Sequence, residues 1–369
     1  MTETTLIPES QRLVGTLNFD FADVYELALR RCGTKSARFV EVGGRETDST
    51  EYLRRRIGET GVRARLESVH GLGDQWRRGA ERFADESLDF VFIDFDGDMG
   101  AFRLSLGEWW RKVRPGGILS GHGYIHVADV AVAIDAFVAS RQLRSAFRTS
   151  NDSWIIYKSL RIDAGYCINL LRRADRRTSA ANQFDAAMLT PPIAFVAAVD
   201  GKDLFHLPVL SDGQAGCSAS HLQLLRAAAL KGLRHVLIFE DDVGLVGDFM
   251  SCFQRALSRC PATYDLLYIG GCSHPDWGTY IYPFDDLLAR AGRIYGTHAY
   301  VVNLDIYPQI ESGLRDLNKV VDQWYANELQ PRSNCYVCIP NLAYQQAGRS
   351  DISDGYTAGT REYTEYPWR

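Results

Sequence analysis

His235-Val236-Leu237-Ile238-Phe239-Glu240-Asp241-Asp242-Val243 runs four large apolar residues straight into three carboxylates. A short, uninterrupted apolar run of this kind reads as a buried strand of an α/β sheet. Three adjacent carboxylates have to be solvated or neutralised, so they belong where that strand leaves the core. In an open α/β sheet, ligands bind beyond the carboxyl ends of strands, which puts the acidic triplet at a crevice. Period-two geometry places Glu240 and Asp242 on one side and Asp241 on the other. Hard oxygen ligands suit Mn²⁺ or Mg²⁺ held jointly with a diphosphate. A solvated acidic turn capping the following helix is the competing reading.

Outward from this strand the pattern alternates. Gly165–Leu170 and Ile193–Val199 read as strands before it, with helices over 176–188 and 218–231 between. A helix over 246–257 and strands over 265–269 and 299–303 follow. Gly216-Cys217-Ser218-Ala219-Ser220-His221 reads as a small-residue turn entering a helix, with Ser218 as a candidate N-cap and backbone N–H groups available to an anion. The same alternation fills the first 160 residues: strands over 37–42, 64–69, 88–94 and 117–120, helices over 21–31, 50–59, 102–113 and 127–141, and a closing hairpin at 145–149 and 153–158. Strand–helix alternation implies a mostly parallel sheet. The expectation is an α/β chain of two domains, residues 1–160 and 161–369, packed closely because no Pro/Gly-rich linker separates them.

The 369 residues are 46% hydrophobic and 24% charged, a balance that builds packed cores rather than a disordered chain. The net charge of −5 provides no global positive field for nucleic acid or an anionic membrane. No apolar run approaches the roughly 20 residues of a membrane span, and the start, MTETTLIPES, has no signal-peptide pattern. A cytoplasmic protein with reduced thiols is expected. Cys335 and Cys338 form a CxxC without a second ligand pair, so no metal is assigned there.

The second half resembles the family 25 glycosyltransferases, the lipooligosaccharide and procollagen galactosyltransferase group. The resemblance rests on Cys167-Ile168-Asn169-Leu170 with Arg173, Arg176 and Arg177, on Ala198-Val199-Asp200-Gly201, on Gly216 to His221, on Phe239 to Val243, and on Gly296-Thr297-His298-Ala299-Tyr300, in that order. It implies a GT-A-like fold and a UDP-sugar donor, galactose or glucose, with transfer to a hydroxyl of a glycan, protein or small molecule. Asp242 would bind the metal directly, with Glu240 and His298 as further candidate ligands. Glu240 or Asp241 would meet the ribose or a metal-bound water. Asn169, Leu170, Arg173, Arg176, Asp200, Gly201, Ser220 and His221 would lie against the nucleotide. If transfer inverts the anomeric centre, a carboxylate must take the acceptor's proton. Asp322 in Val320-Val321-Asp322-Gln323-Trp324 is the candidate, with Trp324 as a sugar platform; Glu328 and Asp276 are weaker candidates.

The first half resembles the small class I methyltransferase domains grouped as family 24. Phe39 to Thr50, Asp89 to Asp96, Trp109-Trp110, Arg114-Pro115-Gly116-Gly117, Gly121-His122 and Asp152-Ser153-Trp154 carry the likeness. It implies a Rossmann-like fold and an S-adenosylmethionine site at Glu41, Gly43, Gly44, Asp94 and an acid after the second strand, Glu67 or Asp74. Thr47 occupies the second-glycine place, adding a Cβ, and His122 is followed by Gly123 rather than Asp. These departures favour a degenerate or repurposed domain. Three readings therefore compete: a metal-dependent glycosyltransferase, a bifunctional glycosyltransferase and O-methyltransferase, and a non-catalytic scaffold. Monomer and homo-oligomer both stay open.

Overall fold

The computed structural model describes residues 21–33, 35–43, 48–71, 74–94, 98–204, 209–272, 280–349, 351 and 356–357. In chain order the first half holds α1 (Ala22–Cys32), β1 (Ala37–Gly43), α2 (Asp48–Thr60), β2 (Ala64–His70), α3 (Asp74–Ala80), β3 (Leu88–Ile93), α4 (Met99–Lys112), β4 (Val113–Gly121), α5 (Ala128–Ser140), β5 (Phe147–Ser150) and β6 (Ser153–Tyr157). The second half holds β7 (Ala164–Asn169), α6 (Ala174–Ala186), β8 (Ile193–Ala197), α7 (Asp212–Leu230), β9 (His235–Glu240), β10 (Val243–Leu245), α8 (Phe249–Arg259), β11 (Leu266–Cys272), β12 (Tyr280–Pro283), β13 (Leu288–Arg293), β14 (Tyr295–Asn303), α9 (Tyr307–Leu314), α10 (Val321–Trp324), β15 (Cys335–Cys338) and β16 (Ala343–Gln345).

The first sheet has the order β2-β1-β3-β4-β6-β5. Its first four strands pair in parallel, and the expected hairpin closes it, β6 running antiparallel to β4. Strand order reverses between β1 and β3, so their carboxyl ends flank the crevice where a doubly wound sheet takes its ligand.

The second sheet, β12-β13-β15-β11-β14-β9-β7-β8, is mixed rather than mostly parallel. β7, β8 and β9 are parallel, whereas β14 runs antiparallel to both β9 and β11. Alternation along β9 decides what its acids meet. Leu237 and Phe239 enter the core shared with Phe184 of α6 and Phe253 of α8. Val236 and Ile238 enter the core shared with Leu225 of α7 and Ile310 of α9. Glu240 continues the α7 side.

The two sheets meet along a polar seam. Arg31, buried at the end of α1, donates to the carbonyls of Gly116 (2.8 Å) and Cys260 (3.2 Å), and also to that of Arg259. Its guanidinium lies over the Tyr157 ring at 5.1 Å. Lys35 pairs with Asp265 at 2.7 Å, and Leu160 N–H donates to the Leu257 carbonyl. All eight cysteines are free thiols, and Cys335 and Cys338 are buried on β15. Among the described residues no helix is long and apolar enough to cross a membrane.

Candidate functional site

The carboxyl ends of β7 and β9, the turn after β8 and the first turns of α7 surround a cleft of about 540 Å³, within the range of small-molecule sites. Leu170, Arg176, Asp200, Gly201, Ser220, His221, Glu240, Asp241 and Asp242 line it, nine of the residues singled out from sequence. Arg172, Lys202, Cys217, Gln345 and Asp351 line it as well and were not singled out. Arg172 lies between the quoted Leu170 and Arg173, and Cys217 stood inside the quoted Gly216–His221 run. Gln345 and Asp351 arrive from about a hundred residues downstream without a local signal.

The three acids have different partners. Glu240 Oε1 meets Nε2 of His221 at 3.1 Å and accepts the Thr297 hydroxyl at 2.5 Å. Nδ1 of His221 faces the Tyr300 hydroxyl at 2.9 Å, so the ring bridges that hydroxyl and the Glu240 carboxylate. Burial alone would raise the Glu240 carboxyl, but the hydrogen bond and charge of His221 and the Thr297 hydroxyl outweigh it and hold the pKa below its ordinary value. Asp241 accepts from Asn169 Nδ2 at 2.7 Å and from Arg176 Nη1 at 3.0 Å; burial still raises it. Asp242 Oδ2 accepts from the same Arg176 nitrogen at 3.3 Å and from Gln345 Nε2 at 3.1 Å. Burial, then the neighbouring Glu240 charge, push Asp242 well above the carboxylate range. Its other oxygen, Oδ1, is buried with no hydrogen-bond partner among the described residues.

The expected side-sharing of Glu240 and Asp242 is corrected by this geometry. β9 ends at Glu240, the chain turns at Asp241 and Asp242, and Arg176 gathers those two together while Glu240 stays with α7. The start of α7 is corrected too. Ser211, not Ser218, is its N-cap, with Gln214 completing a capping box, so the N–H groups of 216–221 belong to the helix. Ser218 instead accepts from Val321 N–H at 3.0 Å and donates to the Lys319 carbonyl at 3.1 Å. The small residues serve close packing: a Cβ on Gly216 would lie 2.7 Å from the Val199 carbonyl oxygen, and Ser220 Oγ accepts from Val199 N–H at 2.8 Å.

Other candidates stand apart from the cleft lining. Arg173 turns to Asp175 at 2.9 Å and to Asp351. Asn169 reaches the cleft through Asp241. His298 is buried on β14, where burial lowers its pKa. Asp322 accepts N–H bonds from Gln323 (2.7 Å) and Gly296 (3.4 Å), and burial raises its carboxyl. Trp324 is 8% exposed with its ring packed on Gly313, and it lines, with Glu328, a separate cleft of about 440 Å³ rather than the cleft of the acids. Glu328 is exposed, and Asp276 lies outside the described residues. Among the described residues, the group of three metal-ligating side chains that converges within 4.8 Å is Cys217, His221 and Glu240, not Asp242, Glu240 and His298.

In the first sheet Glu41 is buried and taken by the hydroxyls of Tyr25 (2.9 Å) and Ser49. Gly43 ends β1, and its carbonyl accepts from Gly71 N–H; Gly44, Thr47 and the Asp74 side chain lie outside the described residues. Glu67 sits mid-strand among Arg38, Arg65 and Arg82, so β2 presents His70 at its carboxyl end rather than an acid. Asp94, just past β3, pairs with His122 Nδ1 at 3.0 Å, just past β4. Asp152 caps the turn after β4, accepting from the N–H groups of Gly123, Ile125 and His126.

Among known proteins, residues 163–280 match the family profile "Glycosyltransferase family 25 (LPS biosynthesis protein)" and residues 24–124 match "Methyltransferase domain". A glycosyltransferase 25 family member of Drosophila melanogaster is 30% identical over 166 residues, 39% of this chain and 27% of the relative. The human protein named inactive glycosyltransferase 25 family member 3 is 28% identical over 165 residues, 38% of this chain and 27% of the relative. The chain thus spans about a quarter of the length of these curated relatives. Among solved structures, the MycE methyltransferase of mycinamycin biosynthesis aligns with 39% of this chain and 50% of its own at 13% identity and a TM-score of 0.29. A Corynebacterium glutamicum protein aligns with 38% and 81% at 15% identity and a TM-score of 0.27. The chain joins a segment that matches a methyltransferase-domain profile to a segment that matches the glycosyltransferase family 25 profile.

Proposed function

We propose that residues 161–369 form a GT-A-like glycosyltransferase domain that moves a hexose from a UDP-sugar to an acceptor hydroxyl, with residues 1–160 as a companion domain that positions an acceptor or mediates assembly. One observation carries this reading: the buried Asp242 Oδ1, without a hydrogen-bond partner among the described residues, in a cleft where Asp241 and Asp242 share the Arg176 guanidinium. An orphaned carboxylate oxygen among clustered acids fits a hard divalent cation, Mn²⁺ or Mg²⁺. Bound there, the cation would supply Lewis-acid stabilisation of the departing diphosphate. Arg172, Arg176 and Lys202 are the basic residues of the lining that would meet a diphosphate, and the cation would offset the six carboxylates around them. Asn169 and Arg176 orient Asp241 for a ribose or water contact. Asp322 is the proposed base; its raised pKa favours proton acceptance once ionised, and on that assignment transfer inverts the anomeric centre.

Calorimetric titration with UDP, in Mn²⁺ and in EDTA, tests the reading on wild type and Asp242→Asn. Binding is expected only in Mn²⁺ and only to wild type, with both proteins melting alike. Binding that ignores Mn²⁺ or the substitution overturns the metal assignment; absence of binding throughout overturns the nucleotide assignment.

The bifunctional reading is favoured by the Asp94–His122 pair beside the crevice of the first sheet and by the methyltransferase match. The bonding of Glu41 Oε1 to Tyr25 and Ser49, and the absence among the described side chains of an acid at the end of β2, oppose it. Titration with S-adenosylmethionine separates the two readings.

A further inference from the structure

Cys217 and His221 stand four residues apart on α7, on one helix face, and Glu240 ends β9 on the side that faces them. One ligand atom from each lies within 4.8 Å of the other two, and all three residues line the cleft. A tetrahedral ion with bonds of about 2.0–2.1 Å to N and O and about 2.3 Å to S holds N and O roughly 3.3 Å apart, and S about 3.6 Å from each. The observed Nε2 to Oε1 distance of 3.1 Å is close to that spacing. Outer contacts already aim the ligands: the Tyr300 hydroxyl on Nδ1 turns Nε2 inward, and the Thr297 hydroxyl holds the carboxylate. A pure acid cluster would suit Mg²⁺ or Mn²⁺, whereas a thiol and an imidazole select softer ions.

We propose that Cys217, His221 and Glu240 form a second cation site, specific for a zinc-class divalent ion, that clamps α7 to β9 and leaves its fourth position open to the cleft. Binding displaces the thiol proton of Cys217 to solvent, the His221 proton relocates from Nε2 to Nδ1, where it is donated to the Tyr300 hydroxyl, and Nε2 and the carboxylate then share the ion in place of their hydrogen bond. The site is separate from the Asp242 oxygen and does not rest on the donor reading.

Cobalt(II) titration of the intact chain, without nucleotide or Mn²⁺, tests it. The expected result is a thiolate-to-cobalt charge-transfer band in the near ultraviolet that saturates at one equivalent per chain and is displaced by zinc. Cys217→Ser should abolish the band, and Asp242→Asn should keep it. Absence of the band in wild type overturns the proposal, as does its survival in Cys217→Ser, which would place the thiolate elsewhere, or its loss in a folded Asp242→Asn. Should Cys217→Ser fail to fold, alkylation of wild type read by peptide mass spectrometry decides: zinc is expected to slow labelling of Cys217 at least tenfold, and equal labelling with and without zinc overturns the site.

Discussion

Gly201→Ala is the sharpest test of how the cleft is built. A Cβ at this position would lie 1.6 Å from the Asp212 carbonyl oxygen, 2.3 Å from its carbonyl carbon and 2.9 Å from its Cα. Real Cβ contacts essentially never fall below 3.0 Å, so the turn after β8 and the first residue of α7 have to part by at least 1.4 Å, the difference between 3.0 and 1.6. Both sides of the contact are backbone, so no side-chain rotation relieves it. Parting them also pulls Val199 N–H away from Ser220 Oγ, now 2.8 Å apart. Overpacking of this sort costs about 1–3 kcal/mol and the lost hydrogen bond about 1 kcal/mol, roughly 2–4 kcal/mol in all. For a domain of this size that is a fall in Tm on the order of 5–15 °C. The assay is thermal and urea unfolding, with UDP titration in Mn²⁺ on the folded variant, since α7 carries Cys217 and His221 into the cleft. Gly247→Ala, whose Cβ would meet nothing within 4 Å, is the control and should stay within about 0.5 kcal/mol of wild type. A Gly201→Ala protein that melts within about 2 °C of wild type and binds UDP equally well would refute the close-packing argument.

Two further outcomes are expected. His235, at the start of β9, has its pKa pushed down from 6.5 to about 4 by burial and then by the Arg234 charge. The unfolded chain therefore takes the proton first, so this stability is complete above pH 6.5 and is lost as the pH falls towards 4. The shift corresponds to roughly 3 kcal/mol, and urea unfolding of wild type should lose about that much more than His235→Gln between pH 7 and pH 4; parallel losses would remove His235 from the account. Asp322→Asn should lower turnover of a UDP-sugar by about 10²- to 10⁴-fold while UDP affinity in Mn²⁺ is retained. Equal losses in turnover and affinity would show that the carboxylate serves only to hold Gly296 and Gln323.

Much of this architecture was legible along the chain because its causes are local. The apolar run 236–239 read as a buried strand, and it is one, with Glu240 at its end. The α/β alternation and the hairpin at 145–158 followed from periodicity in the same way. Legibility ended where a residue's partner is remote. The Ser211–Gln214 capping box set the start of α7 earlier than its small-residue run suggested. Arg176 drew Asp242 to the side of Asp241, and Gln345 came to it from a strand pair, β10 with β16, that spans a hundred residues. Trp324 looked like a platform beside the acids, but its ring packs on Gly313 and lines a separate cleft. The sequence by itself determined that a buried apolar strand runs into Glu240 and which face of it each residue occupies, because backbone geometry makes that parity local. Only the tertiary structure decided that the thiol of Cys217, the imidazole of His221 and the carboxylate of Glu240 converge while Asp242 Oδ1 is left without a hydrogen-bond partner among the described residues, because those distances are set by how α7, α6 and β16 pack on the sheet.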